Sequence, residues 1–380
     1  DFIWHRTEQV KGTFDFSAHD RRLKAAEAVG VKHVGLLAYG NPWATTKTTS
    51  DPYYPPDDPA DFANYVSKAV THYKGRIKTY ELWNEPNSGF RFWKGAGLSG
   101  DPKAFGALIK AAYKAAKAAD PTVEVLFGAP FFNDQVIDGH LKFLAKVYAA
   151  HPDLGDHFDG MGLHPYALYP PSAAPEKESA WEASVGRKLA QLKALMASHG
   201  QGAKPIYVTE MGWPVWDKVS EAQQASYLVR GFLLLQAAGS SMHCWYTLHD
   251  HVGGLTPTEA TFGLLAVPVG SAAPREKPAF TAHRVLLETL GAYRMSADLQ
   301  RDQGLSAGTH AYALTDDKTG GKAMAIWSSA AKPSAVTIKL PAGISAVTTV
   351  TLLGQTGTLT PAGGAVTLTP TADPMYLLLK

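Results

Sequence analysis

Cysteine is almost absent: the 380 residues hold one, Cys244. That excludes an internal disulfide framework and a zinc site built on cysteines. It fits either a reducing compartment or a secreted bacterial protein that avoids thiols. Charge imbalance is lacking too. Lys+Arg 36 against Asp+Glu 34 leaves a net +2, a field too weak to imply nucleic acid or an anionic membrane as partner. Apolar runs such as Phe232 to Leu235 fall far short of the roughly 20 residues that cross a bilayer, so no membrane span is expected. No basic, apolar leader precedes Asp1, so a signal peptide has been removed or was never there.

Against these absences stand 9 Trp and 16 Tyr. Eight of the tryptophans, from Trp4 to Trp245, fall before residue 250, and only Trp327 follows it. With 45% hydrophobic residues the chain can bury a large core, and its length suits one large domain and a small one.

From Asp1 to about Leu290, short apolar runs alternate with stretches of helical period, the pattern of βα units on a parallel sheet. The candidate strands are His33 to Tyr39, Thr79 to Trp83, Glu124 to Ala129, Gly160 to His164, Pro205 to Thr209 and Met242 to Tyr246. Helices are expected at Ser17 to Val29, with Ser17 as N-cap, and at Pro59 to Tyr73, Pro102 to Ala119, Gly139 to Ala150, Ala180 to His199, Glu221 to Ala238 and Lys277 to Leu290. From about Tyr293 the sequence turns to Thr, Val, Ala and Leu with period-two alternation, as in Ser334 to Leu340 and Ala365 to Thr369. This reads as an antiparallel β-sandwich. The expected domains are residues 1–292 and 293–380. Long Pro-rich loops at Asn41 to Asp58 and Leu168 to Glu178 are places where function concentrates.

Two acids end predicted strands: Glu85 in Trp83-Asn84-Glu85-Pro86-Asn87, and Glu210 ahead of Met211-Gly212-Trp213-Pro214. In a βα barrel, active sites are built on that face. A single carboxylate at a strand end is as readily a helix cap, but two flanked by Trp and Pro point to paired-carboxylate chemistry. Cleaving an acetal needs a proton for the leaving oxygen and negative charge beneath the anomeric carbon.

These segments, with Trp245-Tyr246 near the last strand, resemble a retaining glycoside hydrolase of clan A. More narrowly, the chain is similar to glycoside hydrolase family 39 and to the PslG-type endoglycosidases associated with bacterial exopolysaccharide synthesis. The resemblance implies a (β/α)8 barrel with a C-terminal β-sandwich, the acid/base after strand four and the nucleophile after strand seven. Glu85 then takes the first role and Glu210 the second. It also places strand one, its helix and most of strand two before Asp1, with Asp1 to Trp4 as the tail of strand two.

The same resemblance implies that Asn84 bonds the sugar 2-hydroxyl and that Trp245 is the platform under the cleaved sugar, with a strained or cis peptide there. Tyr166 would hold the nucleophile and His164 would line the floor, unless His164 is a structural histidine packed under a Pro loop. Sugar rings present C–H faces to flat aromatics, so Tyr39, Asn41, Trp43, Phe90, Trp93, Tyr169, Trp213 and Trp216 are candidate contacts on loops after strands. Trp4 is another, with a core role as its alternative. Glu81 shares strand parity with Glu85 and should point inward, paired with Arg6 or His33. His249-Asp250-His251 lacks the spaced partners of a metal site, and Cys244 beside His243 reads as a core thiol. No metal and no cofactor are expected.

The resulting expectation is a monomeric periplasmic or secreted bacterial enzyme. It would cleave internal β-glycosidic bonds of a polysaccharide or oligosaccharide with retention. An exo-acting β-xylosidase-like glycosidase, transglycosylation and a non-catalytic polysaccharide binder are the alternatives.

Overall fold

The computed structural model describes residues 1–131, 139–167, 172–179, 183–251, 256–267 and 273–380. Tyr169 and the expected start of the helix at Ala180 lie outside them. Contacts divide the chain into two compact units, residues 1–165 with 189–210, and residues 166–188 with 211–380.

The first unit alternates strands and helices. Its elements are β1 (Phe2–Ile3), α1 (Trp4–Thr7), α2 (Ser17–Glu27), β2 (Val34–Ala38), α3 (Pro59–His72), β3 (Thr79–Leu82), α4 (Pro102–Ala119), β4 (Glu124–Phe127), α5 (His140–Ala150) and β5 (Gly160–Leu163). Most of α6 (Val185–Ser198) and β6 (Ile206–Met211) follow. Pairing is parallel throughout: Phe2 opposite Leu37, Leu37 opposite Leu82, Leu82 opposite Phe127, Phe127 opposite Met161, and Leu163 opposite Val208. With β7 (Met242–Trp245) these strands follow one another in a single seven-stranded curled sheet, a (β/α)8-type barrel. Phe2–Ile3 lies where the resemblance put the tail of strand two.

Local chemistry explains the helix starts. Asp58 and Asp101 each accept backbone N–H groups of the first turn, with Pro59 and Pro102 at the first helical position. Ser220 and Gln223 form a capping box on α7 (Glu221–Ala237). The expected cap at Ser17 is not there: Phe16 holds that position, and the Ser17 N–H donates to Asp15 Oδ1. The first-turn N–H groups of His19 and Asp20, which a Ser17 cap would have engaged, donate to Phe16 O instead.

Aromatic rings fill the space between sheet and helices in the first unit. Trp4 meets Phe62, Phe62 meets Trp83, Trp83 meets Trp93 and Trp93 meets Phe105, with ring centroids 4.9 to 5.6 Å apart. Trp93 is therefore core, not a sugar contact: it is 1% exposed and offers no ring face. Trp4 takes its core role in the same way, at 0%.

The second unit continues after β7 with a short hairpin of β8 (Leu265–Ala266) and β9 (Arg275–Glu276), then α8 (Pro278–Leu290). An antiparallel sandwich follows. One sheet has the order β10 (Tyr293–Asp298), β11 (Thr309–Asp316), β12 (Lys322–Ser328), β17 (Met375–Leu379), β14 (Val347–Thr351), β15 (Thr356–Leu359). β13 (Val336–Lys339) pairs with β16 (Ala365–Leu368), and the short α9 (Leu299–Asp302) joins β10 to the next strand. Alternation decides the faces: Val336 and Ile338 turn into a core with Ile326, Val347, Val366 and Leu377, while Thr337 and Lys339 face out.

Candidate active site

β3 ends at Leu82, and the chain then turns sharply. Trp83 and Glu85 both have left-handed backbones, φ 73° and 44°, a conformation that costs of order 1–3 kcal/mol for a side-chain-bearing residue. Neighbouring strands hold the turn in place. Trp83 N–H donates to Leu37 O, Glu85 N–H to Ala129 O, and Trp83 Nε1 to Phe92 O. Asn87 and Phe131 exchange two hydrogen bonds of 2.7 Å. Gly128 makes the close approach possible, since a Cβ there would stand 2.1 Å from Leu82 O.

The turn points Glu85 at His164 and Glu210. One carboxylate oxygen of each acid and a ring nitrogen of His164 all lie within 4.8 Å of one another. Glu85 and His164 are buried, and Glu210 is partly open. His164 Nδ1 is 3.0 Å from Glu85 Oε1, and its Nε2 is 3.2 Å from Thr209 Oγ1. Burial pulls the His164 pKa down, but the Glu210, Glu85 and Glu81 carboxylates outweigh it and hold the ring up at about 9. At neutral pH it is an imidazolium. His164 is thus a partner of Glu85 and not merely packed under a Pro loop.

Asn84 donates from Nδ2 to Tyr39 Oη at 3.2 Å. Burial first, then the charges of Glu85 and Glu210, push the Tyr39 hydroxyl far above its ordinary pKa, so it stays neutral. Tyr39 stacks on Phe92 at 5.2 Å. Glu81 points inward as its parity requires, but its partners are Ala129 N–H and Thr209 Oγ1 rather than Arg6 or His33. Burial pushes its pKa up.

Asn41 and Trp43 are engaged elsewhere. Asn41 Nδ2 and Trp43 Nε1 both donate to Glu8 O, at 2.8 and 2.9 Å. Asn41 is buried; Trp43 keeps part of its surface and lies under the Lys11 ammonium. Their polar atoms anchor the loop after β2, so the reading of Asn41 as a sugar contact is corrected to a structural one.

The aromatic residues of the second unit divide in the same way. Trp213 is fully buried, donates to Ala173 O and stacks on Trp245 at 6.1 Å. It supports Trp245 and has no face of its own to offer. Trp245 is half-buried, with Nε1 bonded to Phe262 O, and Trp216 is 45% exposed. Tyr166 is buried edge-on to Phe262, and its carbonyl accepts from Lys188 Nζ. Non-proline cis peptides occur at Ala38-Tyr39 and Tyr246-Thr247; the one implied beside Trp245 is a residue later.

Glu85, His164 and Glu210 form the acid–histidine cluster with metal-holding spacing among the described residues. Both His164 nitrogens are already hydrogen-bonded and the ring is cationic, which suits proton chemistry rather than a metal ion. In the second unit Asp250 is bonded by Gly263 N–H and Lys277 Nζ, so the His249-Asp250-His251 run has its carboxylate already neutralised. Next to Cys244, His243 pairs with Ser240, and burial holds its pKa down at about 4.

A parallel barrel-type sheet that brings two glutamates from separate strand ends within 4.8 Å of each other fits a glycoside hydrolase of clan A. The family model described as glycosyl hydrolase family 10 matches residues 2–226, and the chain belongs to that family. Among solved structures, a family 39 glycoside hydrolase from Bacteroides cellulosilyticus WH2 is similar over 100% of this chain and 74% of its own, at TM-score 0.78 and 23% identity. A monomeric β-xylosidase from Caulobacter crescentus CB15 is similar over 97% and 85%, at 0.65 and 17%. A family 30 endoxylanase from Clostridium papyrosolvens C71 follows at 0.61 and 14%, over 96% and 84%. At these identities the likeness is one of fold. No curated protein matches the chain.

Proposed function

We propose that this glycoside hydrolase cleaves internal β-glycosidic bonds of a bacterial exopolysaccharide with net retention. The observation that carries the retaining part is the carboxylate spacing, within 4.8 Å. Direct attack on the anomeric carbon suits a separation of about 5 to 5.5 Å, whereas about 6.5 to 9.5 Å leaves room for water and inverts configuration. In this reading Glu210 attacks and forms a glycosyl ester while Glu85 protonates the leaving oxygen. Glu85 then takes a proton from the water that resolves the ester. Asn84, fixed by Tyr39, lies beside Glu85, where it can bond the sugar 2-hydroxyl. In the second unit, exposed Trp216 and half-buried Trp245 are the candidates for stacking on a sugar.

Endo action on an exopolysaccharide rests on the motif's resemblance to PslG-type enzymes. An exo-acting β-xylosidase is the second reading, favoured by the fold shared with the Caulobacter β-xylosidase. Work as a monomer in the periplasm or outside the cell belongs to the proposal too; a polymer too large to enter a cell would require it there, and the single cysteine is compatible with that place. Product sizing on purified exopolysaccharides separates the readings. Mixed internal fragments support endo action; release of single sugars only, or preference for aryl xylosides, supports the second. NMR of the first-formed anomer tests retention. Glu85→Gln and Glu210→Gln are each expected to lose about 10²-fold or more in kcat; unchanged turnover in both would remove these acids from the chemistry, and a native protein that binds polysaccharide without any turnover would be a binder.

A further inference from the structure

Glu81 is a buried carboxyl for which double displacement has no task. It lies four residues before Glu85, with Oε1 accepting from Ala129 N–H at 2.8 Å and from Thr209 Oγ1 at 3.2 Å. Gly162 in β5 leaves room for it: a Cβ there would stand 2.7 Å from Glu81 Oε1. Thr209 Oγ1 is also 3.2 Å from His164 Nε2, and His164 Nδ1 is 3.0 Å from Glu85 Oε1. Four side chains thus form one continuous line from the barrel interior to the acid/base position.

Counting hydrogens gives the line a direction. Glu81 Oε1 accepts the Ala129 N–H, so Thr209 donates its single hydroxyl hydrogen to Glu81. The Thr209 oxygen then accepts from His164, which requires a hydrogen on Nε2. Nδ1 is left as the exchangeable nitrogen, facing Glu85.

We infer that Glu81 and Thr209 are positioning residues that lock His164 in its Nε2–H form, so that Nδ1 and Glu85 Oε1 share one mobile proton. The inference rests on the reading of Glu85 as acid/base. The surrounding charges agree with it, since Glu210, Glu85 and Glu81 hold the ring cationic up to about pH 9. The shared proton rests on Nδ1, passes to Glu85 Oε1, and leaves with the departing sugar oxygen as the anomeric C–O bond breaks and the Glu210 ester forms. Water then attacks the anomeric carbon as its bond to the Glu210 oxygen breaks, Glu85 takes the water's proton, and that proton returns to Nδ1. One water is consumed and the four side chains regain their starting protons.

Thr209→Val keeps the volume and removes the acceptor, and Thr209→Ser restores it. Nitrogen-15 NMR of labelled histidine, above pH 9 where the ring is neutral, reads the tautomer directly. The expected result is Nε2–H for His164 in the native protein and in Thr209→Ser, and Nδ1–H in Thr209→Val. Kinetics give the second readout. Thr209→Val should lose about tenfold or more in kcat on glycosides with poor leaving groups, with KM little changed. On dinitrophenyl glycosides, which depart without a proton, the change should stay within about threefold. A native Nδ1–H tautomer, an unmoved tautomer in Thr209→Val, equal losses on both substrate types or no rescue by Ser would each overturn the inference. A native protein inactive on every glycoside would sink the functional reading instead, while the NMR arm would still decide the lock in the folded native protein.

Discussion

Glu85 and Glu210 could be picked out because their flanking residues advertise a strand end, and a carboxyl at a strand end can face only a few places. The partners of those acids were less readable. His164 was open between floor and packing until its two nitrogens were seen bonded to Glu85 and Thr209. No signal in the sequence tied Glu81 to Thr209, because their contact spans 128 positions. A pH test follows at this scale. His164 is raised from 6.5 to about 9, so its contribution to stability is fully present below about 6.5 and is lost as pH climbs through about 9. The gap in denaturation midpoint between the native protein and His164→Asn should therefore narrow across that interval. A gap that widens with pH contradicts the charge state.

At the scale of elements, each candidate strand was found with its C-terminal end moved by one or two residues, because turns such as that at Trp83 depend on which carbonyls neighbouring strands present. Aromatic loops misled for a related reason. Trp93 and Trp213 both follow strands, yet their rings turn inward and are buried, Trp213 with its Nε1 on a backbone acceptor. Trp93→Ala should act as a core deletion, costing about 3–5 kcal/mol. Denaturant unfolding should register the loss, with KM unchanged at temperatures where the variant is folded. Gly128→Ala should strike both stability and turnover, since the added methyl meets the Leu82 carbonyl behind the Glu85 turn. Melting temperature and kcat together check it; a fully active, equally stable variant would refute that role for Gly128.

At the scale of the whole molecule, the sandwich is more than an appendage to its unit. Trp327 on β12 donates to Glu176 Oε1 at 2.7 Å, and Arg230 on α7 bonds the same buried carboxylate. Breaking such a pair leaves one charge buried and alone. Glu176→Gln is expected to cost about 3–5 kcal/mol, read by chemical denaturation; a loss within error would mean that water reaches the site. Chelation is a second whole-protein test. EDTA should leave activity unchanged, because the acid–histidine cluster carries a bound proton instead of an open coordination position. Among the described residues no helix is long and apolar enough to cross a membrane.

The sequence by itself determined the alternation of strands and helices, the switch to a sandwich near Tyr293 and the two acids, since periodicity and short motifs act over neighbouring residues. Only the tertiary structure decided which aromatics are core, which amides brace a loop, and that a threonine and a third glutamate reach the acid/base through His164. Those outcomes depend on distances between strands far apart along the chain, and no local pattern encodes them.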